Sequence, residues 1–576
     1  MKRTLVLKDA YKTFTLDQDK TASPGETVQQ VKQRLNAIDL DVLSDTVRID
    51  NGRLNIPVYF SICGKDAAVV CSTHKQMGKG ATPEQAEASA TMELVERFSF
   101  YSFMKDRSNF IIGKAKNLSA ETLAFDRIAA SVHDRSDDVE KAQQIFENLE
   151  LKWTWGHHLT RDIPILVPFD WFYTINEFNG ASTGNCVEEA LCQGICEVVE
   201  RHVSSLISRN RITPAAIDPK SPIDPMVVEM IEKYTKNRIQ IYISDFTLDM
   251  GIPTVGVLAY DPLTFPDTSE IVWTAGTATH PEKALSRALS ETAQLGGDFN
   301  SGANYVASGL PKLSSIAEAG HVINAPGNRH IRDLPNISHD NVRIEVERCV
   351  AALSEKAMEV VVVDTSHPRL GLPAFYTLVP GAHFRERAEN TSAALFSTKI
   401  IAEQYPPEQA LFELIHIDEH ILPNKYFIKF YIGKCHLALE RPEQALTYFE
   451  QALNLEPVRQ DAASVYSYMG VCLKEMERFE EALAVLEKGR RIDDERTDIH
   501  NLMGFCRFKL KDHHQAIASF KKVIALNPGS AIDYANIGVN YRELGDVDSA
   551  VHFFRTALAL DPTLTFARDA LEKLTA

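Results

Sequence analysis

Val187-Glu188-Glu189-Ala190, followed along the same run by Glu197, Glu200 and Arg201, is the stretch that decides how this chain is read. The pattern occurs twice more in altered form. Pro83-Glu84-Gln85-Ala86 leads to Glu93, Glu96 and Arg97, and Pro281-Glu282-Lys283-Ala284 leads to Glu291. In every copy the glutamate stands seven residues after the Ala, two helical turns along one face. The third copy carries its arginine one turn earlier, at Arg287. A single Glu-x-x-Glu-Arg run is an ordinary exposed helix pair worth about 0.2–0.5 kcal/mol. Three copies at one offset predict three helices whose carboxylates converge on a shared cation.

Each copy opens with a turn: Gly78-Lys79-Gly80-Ala81-Thr82, Ser182-Thr183-Gly184-Asn185 and Gly276-Thr277-Ala278-Thr279-His280. Glycine and hydroxyl residues before a helix leave backbone N–H groups where an anion can dock. Carboxylates two turns inside the same helices suit Mg²⁺ bridging that anion. Phosphate near N–H groups and arginines, with metal on glutamates, describes a nucleotide site. The chain has neither a Walker A sequence nor a Gly-x-Gly-x-x-Gly loop, which disfavours P-loop and Rossmann machines.

The rest of the sequence sets the frame. A chain of 576 residues is too long for one core. Its net charge of −17 argues against a nucleic-acid partner held by bulk electrostatics. From Pro423 onward there are 20 basic and 22 acidic residues, so −15 falls on the first 422 positions, where the glutamate signatures lie. Nine cysteines without a Cys-x-x-Cys pair form neither a disulfide framework nor a zinc motif. Cys192 and Cys196, at i, i+4, read as half of a metal site or as core thiols. The first residues reach a charge too soon for a signal peptide, and no stretch approaches membrane-span length. The expected location is cytoplasmic, with no membrane partner.

Runs at 239–244, 255–260, 271–275 and 359–363 read as strands, alternating with helices at about 83–103, 187–208, 281–296 and 341–356. The glycine-rich loop over 296–304 reads as a lid or as a surface excursion. From Pro423 a period near 34 residues takes over. Gly433, Ala445, Phe449, Ala452 and Pro457 recur as Gly538, Ala550, Phe554, Ala557 and Pro562, and in part as Gly504, Ala516, Phe520 and Pro528. Gly470, Ala482, Leu486 and Gly489 form a weaker copy. These spacings resemble the tetratricopeptide repeat, whose solenoids commonly hold peptide segments on the concave face. Asn501, Asn536 and Asn540 are candidates to hold such a backbone. A rigid spacer or a homodimer interface is the alternative use of the array. The expected domains are residues 1–404, a transition helix over 405–422, and repeats over 423–576. The predicted fold class is a mixed α/β (α+β) domain of internally related strand–helix units, followed by an all-α solenoid.

Taken in order, the segment from Gly78 to Arg97, the segment from Ser182 through Gln193 to Arg201, Arg287 with Glu291, and Val379-Pro380-Gly381 resemble the signatures of the YcaO proteins. Lys20 and Thr27 are spaced like that family's N-terminal Lys and Ser. The resemblance covers about residues 15–400. It implies an ATP- and Mg²⁺-dependent enzyme that activates backbone amides of a protein or peptide by phosphorylating the amide oxygen. It implies Glu93, Glu96, Glu189, Glu197, Glu200 and Glu291 as Mg²⁺ ligands. The nucleotide site it implies takes in Lys20, Thr27, Glu93, Arg97, Ser182, Asn185, Glu189, Gln193, Arg201, Arg287 and Glu291. Azole-forming members often end in a Pro-rich tail that reaches the active site. Here the domain runs into repeats instead, which favours thioamidation, or an accessory role in ribosomal-protein methylthiolation, over azoline formation. A nucleotide-sensing repeat scaffold without catalysis is the rival from another class.

Overall fold

Three strand–turn–helix units organise the first part of the chain, each built in the same way. Lys75–Lys79 precedes the helix Pro83–Lys105, Ala181–Thr183 precedes Val187–Asn210, and Val272–Thr277 precedes Pro281–Gly296. Proline at the first turn starts the first and third helices, where its missing N–H costs nothing. Thr82 Oγ1 and His280 Nδ1 cap them by accepting backbone N–H bonds. The computed structural model describes residues 5–302, 305, 309–384, 391–527 and 529–575. Ala303 and Asn304 of the glycine-rich loop, and Pro528 of one repeat, lie outside the described residues.

Each of those three strands ends the order of a different sheet. Lys75–Lys79 closes a three-stranded sheet with Leu43–Arg48 and Val58–Cys63. Val272–Thr277 closes another with Thr254–Tyr260 and Gln240–Asp245. Ala181–Thr183 closes a six-stranded sheet that includes Glu150–His158, Val361–Asp364 and Ala374–Leu378. Among the described residues every pairing between two strands of these sheets is antiparallel, so the mixed fold has α+β character. The chain divides into two compact units, Met1–Arg135 with Glu150–Ser392, and Ser136–Leu149 with Ala393–Ala576.

The second unit is helical. Its repeats pair Tyr426–Ala438 with Pro442–Asn454, Arg459–Glu475 with Phe479–Ile492, Thr497–Lys509 with His513–Leu526, and Ala531–Glu543 with Val547–Leu560. A Cβ on Gly433 would lie 2.7 Å from the Phe449 ring, and one on Gly504 2.7 Å from Phe520. The small residue at offset 0 therefore receives the aromatic at offset 16, as the spacing predicts. The asparagine expectation is corrected in part. Asn540 is buried, donating to the Asn536 carbonyl and pairing with His513, and Asn501 Nδ2 donates to Asp533 Oδ1 at 2.6 Å. The bonds to His513 and Asp533 cross between helices, and the Asn540 amide N–H is taken by its own helix. Among the described residues no helix is long and apolar enough to cross a membrane.

Candidate functional site

The three units close on one another in a ring, and their strand ends make the closure. Lys79, Thr183 and Thr277 each stand seven residues before the signature Ala and end their strands. Thr183 Oγ1 donates to the Met92 carbonyl of the first helix at 3.2 Å. The Thr277 N–H donates to Glu200 Oε2 of the second at 2.9 Å. Lys79 Nζ forms an ion pair with Glu291 of the third. Each strand thus reaches the helix of another unit. One residue further back, Gly78 and Gly276 lie flat on their own helices: a Cβ there would sit 1.9 Å from the Ala90 nitrogen or 2.3 Å from the Ala284 oxygen.

Inside this ring is a cavity of about 350 Å³. Its wall brings together Glu93, Glu96 and Arg97, then Glu197, Glu200 and Arg201, then Arg287 and Glu291, with Lys20, Thr27, Asn185, Glu189 and Gln193 alongside. Ser182 is the exception. It occupies the strand position equivalent to Gly78 and Gly276, and its buried hydroxyl donates to the Ala190 carbonyl of its own helix at 2.7 Å. The expected nucleotide contact from Ser182 is therefore corrected to a strand–helix bond. Glu189 also differs from expectation as a metal ligand. Oε1 accepts from the Thr21 N–H and hydroxyl, and Oε2 from the Asn185 N–H and side-chain amide. Four hydrogen bonds fill the acceptor sites of that carboxylate, which pins the N-terminal segment to the second turn.

The remaining acids feel one another. Burial pushes the Glu93 carboxyl up, with Glu197 and Glu291 adding to the rise against Arg97. Burial raises Glu96 well above the usual range, opposed by Arg97 at 2.9 Å. Glu200 is pushed up to about 7 by burial and by the neighbouring Glu291. Burial acts on Glu291 in the same direction, yet Lys79 and Arg201 hold it below the ordinary carboxylate range. Arg97 also lies over the Phe178 ring, 4.0 Å from its centroid, which fixes the plane of its guanidinium. Arg287 donates to Gln193 Oε1 at 2.9 Å.

Two observations test whether a metal–nucleotide complex fits. The Nε atoms of Arg201 and Arg287 are buried without a hydrogen-bond partner, so the wall offers donors suited to acceptor oxygens. Mutually repelling carboxylates suit a hard divalent cation. Among the described residues the glutamate oxygens do not close a three-ligand cage alone. That matches Mg²⁺, which is held by one or two carboxylates plus phosphate oxygens. The residues present fit the group.

Two further residues were not singled out in the sequence. Asp17 is buried and accepts from the Ala81 N–H at 2.8 Å and the Ser286 hydroxyl at 3.1 Å, tying the N-terminal segment to the first and third units. No local pattern marks it. Lys79 was legible in principle, since it holds the same position in its turn as Thr183 and Thr277 in theirs.

A family model described as YcaO cyclodehydratase, ATP- and Mg²⁺-binding, matches residues 77–383, more than half of the chain. The chain belongs to the YcaO family. Tetratricopeptide models match residues 428–495, 497–530 and 534–564. ATP and Mg²⁺ are accordingly the cofactors of this YcaO domain. An uncharacterised protein of Methanothermobacter thermautotrophicus is 27% identical over 384 residues, covering 62% of this chain and 93% of the relative. The ribosomal protein S12 methylthiotransferase accessory factor YcaO of Escherichia coli is 26% identical over 316 residues, 49% of this chain and 50% of that one. Among solved structures, a heterocyclase in complex with substrate and cofactor aligns with TM-score 0.53 and 22% identity, over 66% of this chain and 55% of that one. YcaO from Methanopyrus kandleri, bound with AMPPCP and Mg²⁺, aligns with TM-score 0.49 and 22% identity, over 65% of this chain and 95% of that one.

Proposed function

We propose that this YcaO protein activates a backbone amide of a protein or peptide, using ATP and Mg²⁺, in a post-translational modification of the thioamidation or methylthiolation-accessory kind. The observation that carries this reading is the ring of three units, which gathers carboxylates and guanidinium groups from three helices around one cavity. When bound, ATP supplies a phosphoryl group that converts the poor amide-oxygen leaving group into phosphate. In this reading Mg²⁺ would take its carboxylate ligands from among Glu93, Glu96, Glu197, Glu200 and Glu291. Arg97, Arg201 and Arg287 neutralise phosphate charge and fix its orientation, with Lys20, Thr27, Asn185 and Gln193 completing the nucleotide site. The protein's contribution is positioning and charge stabilisation. Its repeats recruit the protein substrate or a helper protein. Phosphate release measured with candidate peptides, together with product masses, tests the reading. Turnover that leaves every peptide mass unchanged would overturn amide activation.

A further inference from the structure

The second signature helix carries Cys192 and Cys196 one turn apart, and the sequence leaves their partner open. The fold supplies it: Cys349, on the helix Val342–Glu355 packed against Val187–Asn210, brings a third sulfur to the pair. The three Sγ atoms lie within 4.8 Å of one another. Among the described residues no other set of His, Cys, Asp and Glu side chains converges three ligand atoms so closely. We propose that Cys192, Cys196 and Cys349 form a three-thiolate site for a thiophilic d¹⁰ cation, Zn²⁺ or Cu⁺, separate from the carboxylates assigned to Mg²⁺.

Geometry and chemistry agree on this. Zn–S bonds of about 2.3 Å place the sulfurs of one tetrahedron about 3.8 Å apart, so rotamer adjustment alone closes the trio on a cation. Cu⁺ and Zn²⁺ are the cations that soft thiolates select. Cys196 and Cys349 are buried in an apolar core beside Ile195 and Val346, which excludes competing water. A metal ion supplies the charge compensation that buried thiolates need. Glu345 is one turn from Cys349, but its Oε1 accepts from Lys12, Thr279 and His339, and its carboxylate is not part of the converging set, so the donor set is sulfur. Cys192 is half-buried and precedes Gln193 of the cavity wall.

The test uses the reduced, chelator-stripped full-length chain. In one arm Co²⁺ is titrated as a spectroscopic stand-in for Zn²⁺, and in the other Cu⁺ is competed against bathocuproine disulfonate. The expected result is one equivalent bound in at least one arm. In the cobalt arm this appears as thiolate-to-metal charge-transfer absorbance that Zn²⁺ bleaches. Cys349→Ala and Cys196→Ala each weaken that binding at least tenfold, with circular dichroism reporting that the variants remain folded. Retention in the cobalt arm names Zn²⁺, and retention in the copper arm names Cu⁺. Failure of the wild-type chain in both arms overturns the site without any variant, and so does full-strength binding by a folded Cys349→Ala protein. None of these readouts uses ATP turnover, so the outcome stands apart from the proposed enzymatic activity.

Discussion

Glu197 and His202 share the second signature helix but answer to different physics. Glu197 lines the cavity and pairs loosely with Arg201 at 3.7 Å. Glu197→Gln keeps its volume and removes its charge, so phosphate release is expected to fall at least about a hundredfold while the thermal midpoint stays within the range of a surface substitution. Wild-type turnover by the folded variant would exclude Glu197 from the metal shell. His202 instead belongs to a stack of imidazoles. Its Nδ1 accepts the His383 N–H at 2.9 Å, and the His133 and His383 rings lie parallel at 3.7 Å. Burial holds His202 down at about 4 and His383 at about 3. Above pH 6.5 these rings are neutral in both states, and stability is unaffected. As pH falls below 6.5 the unfolded chain binds protons that the folded one refuses, so stability drops progressively towards pH 4. For His202 the full loss is about 3 kcal/mol. His202→Asn, which leaves an acceptor near the Nδ1 position, is expected to flatten the pH dependence of the melting temperature between 6.5 and 4. An unchanged slope would remove the stack from the acid response.

At the scale of elements, the strand-to-helix contact does for the first domain what glycine-to-aromatic packing does for the repeats. Gly78 faces the Ala86 and Ala90 backbone of its own helix, which cannot move aside as a side-chain tip can. Gly78→Ala is expected to lower stability by about 3 kcal/mol, at the upper end of overpacking costs. Gly25, inside Pro24–Ile38, has nothing within 4 Å of its Cβ direction. Gly25→Ala is expected to raise stability by about 0.5 kcal/mol through helix propensity. Denaturant titration of the two variants checks the contrast, and equal effects would refute the close-contact argument.

For the whole molecule, the division between units has a consequence for truncation. The helix Val139–Asn148 lies early in the chain but packs in the second unit against Ala393–Gln404, with Ile145 and Phe146 buried. A chain ending at Gln404 keeps that pairing, whereas one ending at Ser392 strips the cover from Val139–Asn148. The 1–404 form is expected to remain monodisperse and to bind Mg²⁺–ATP within about threefold of the full chain, and the 1–392 form to aggregate. Size-exclusion chromatography and nucleotide titration read both outcomes. The 1–404 form is also expected to lose affinity for the cognate protein, because the repeats from Pro423 are absent. Unchanged apparent affinity would refute recruitment by the array.

The sequence by itself determined the repeat unit and the pairing of its offsets, because a 34-residue period constrains neighbouring helices locally. It also marked the three signature helices, since two turns of spacing place Ala and Glu on one face whatever surrounds them. Tertiary structure decided how those helices meet. Ser182 reads as a site residue because it sits in a signature turn, but strand register turns its hydroxyl onto Ala190. Glu189 reads as a ligand until the fold brings Thr21 to it across 168 positions. Asp17 and Cys349 gain meaning only through contacts with distant segments, for which no local period exists. Periodicity reports which face a side chain occupies. What stands opposite that face is settled by long-range packing, and the chemistry of this cavity depends on it.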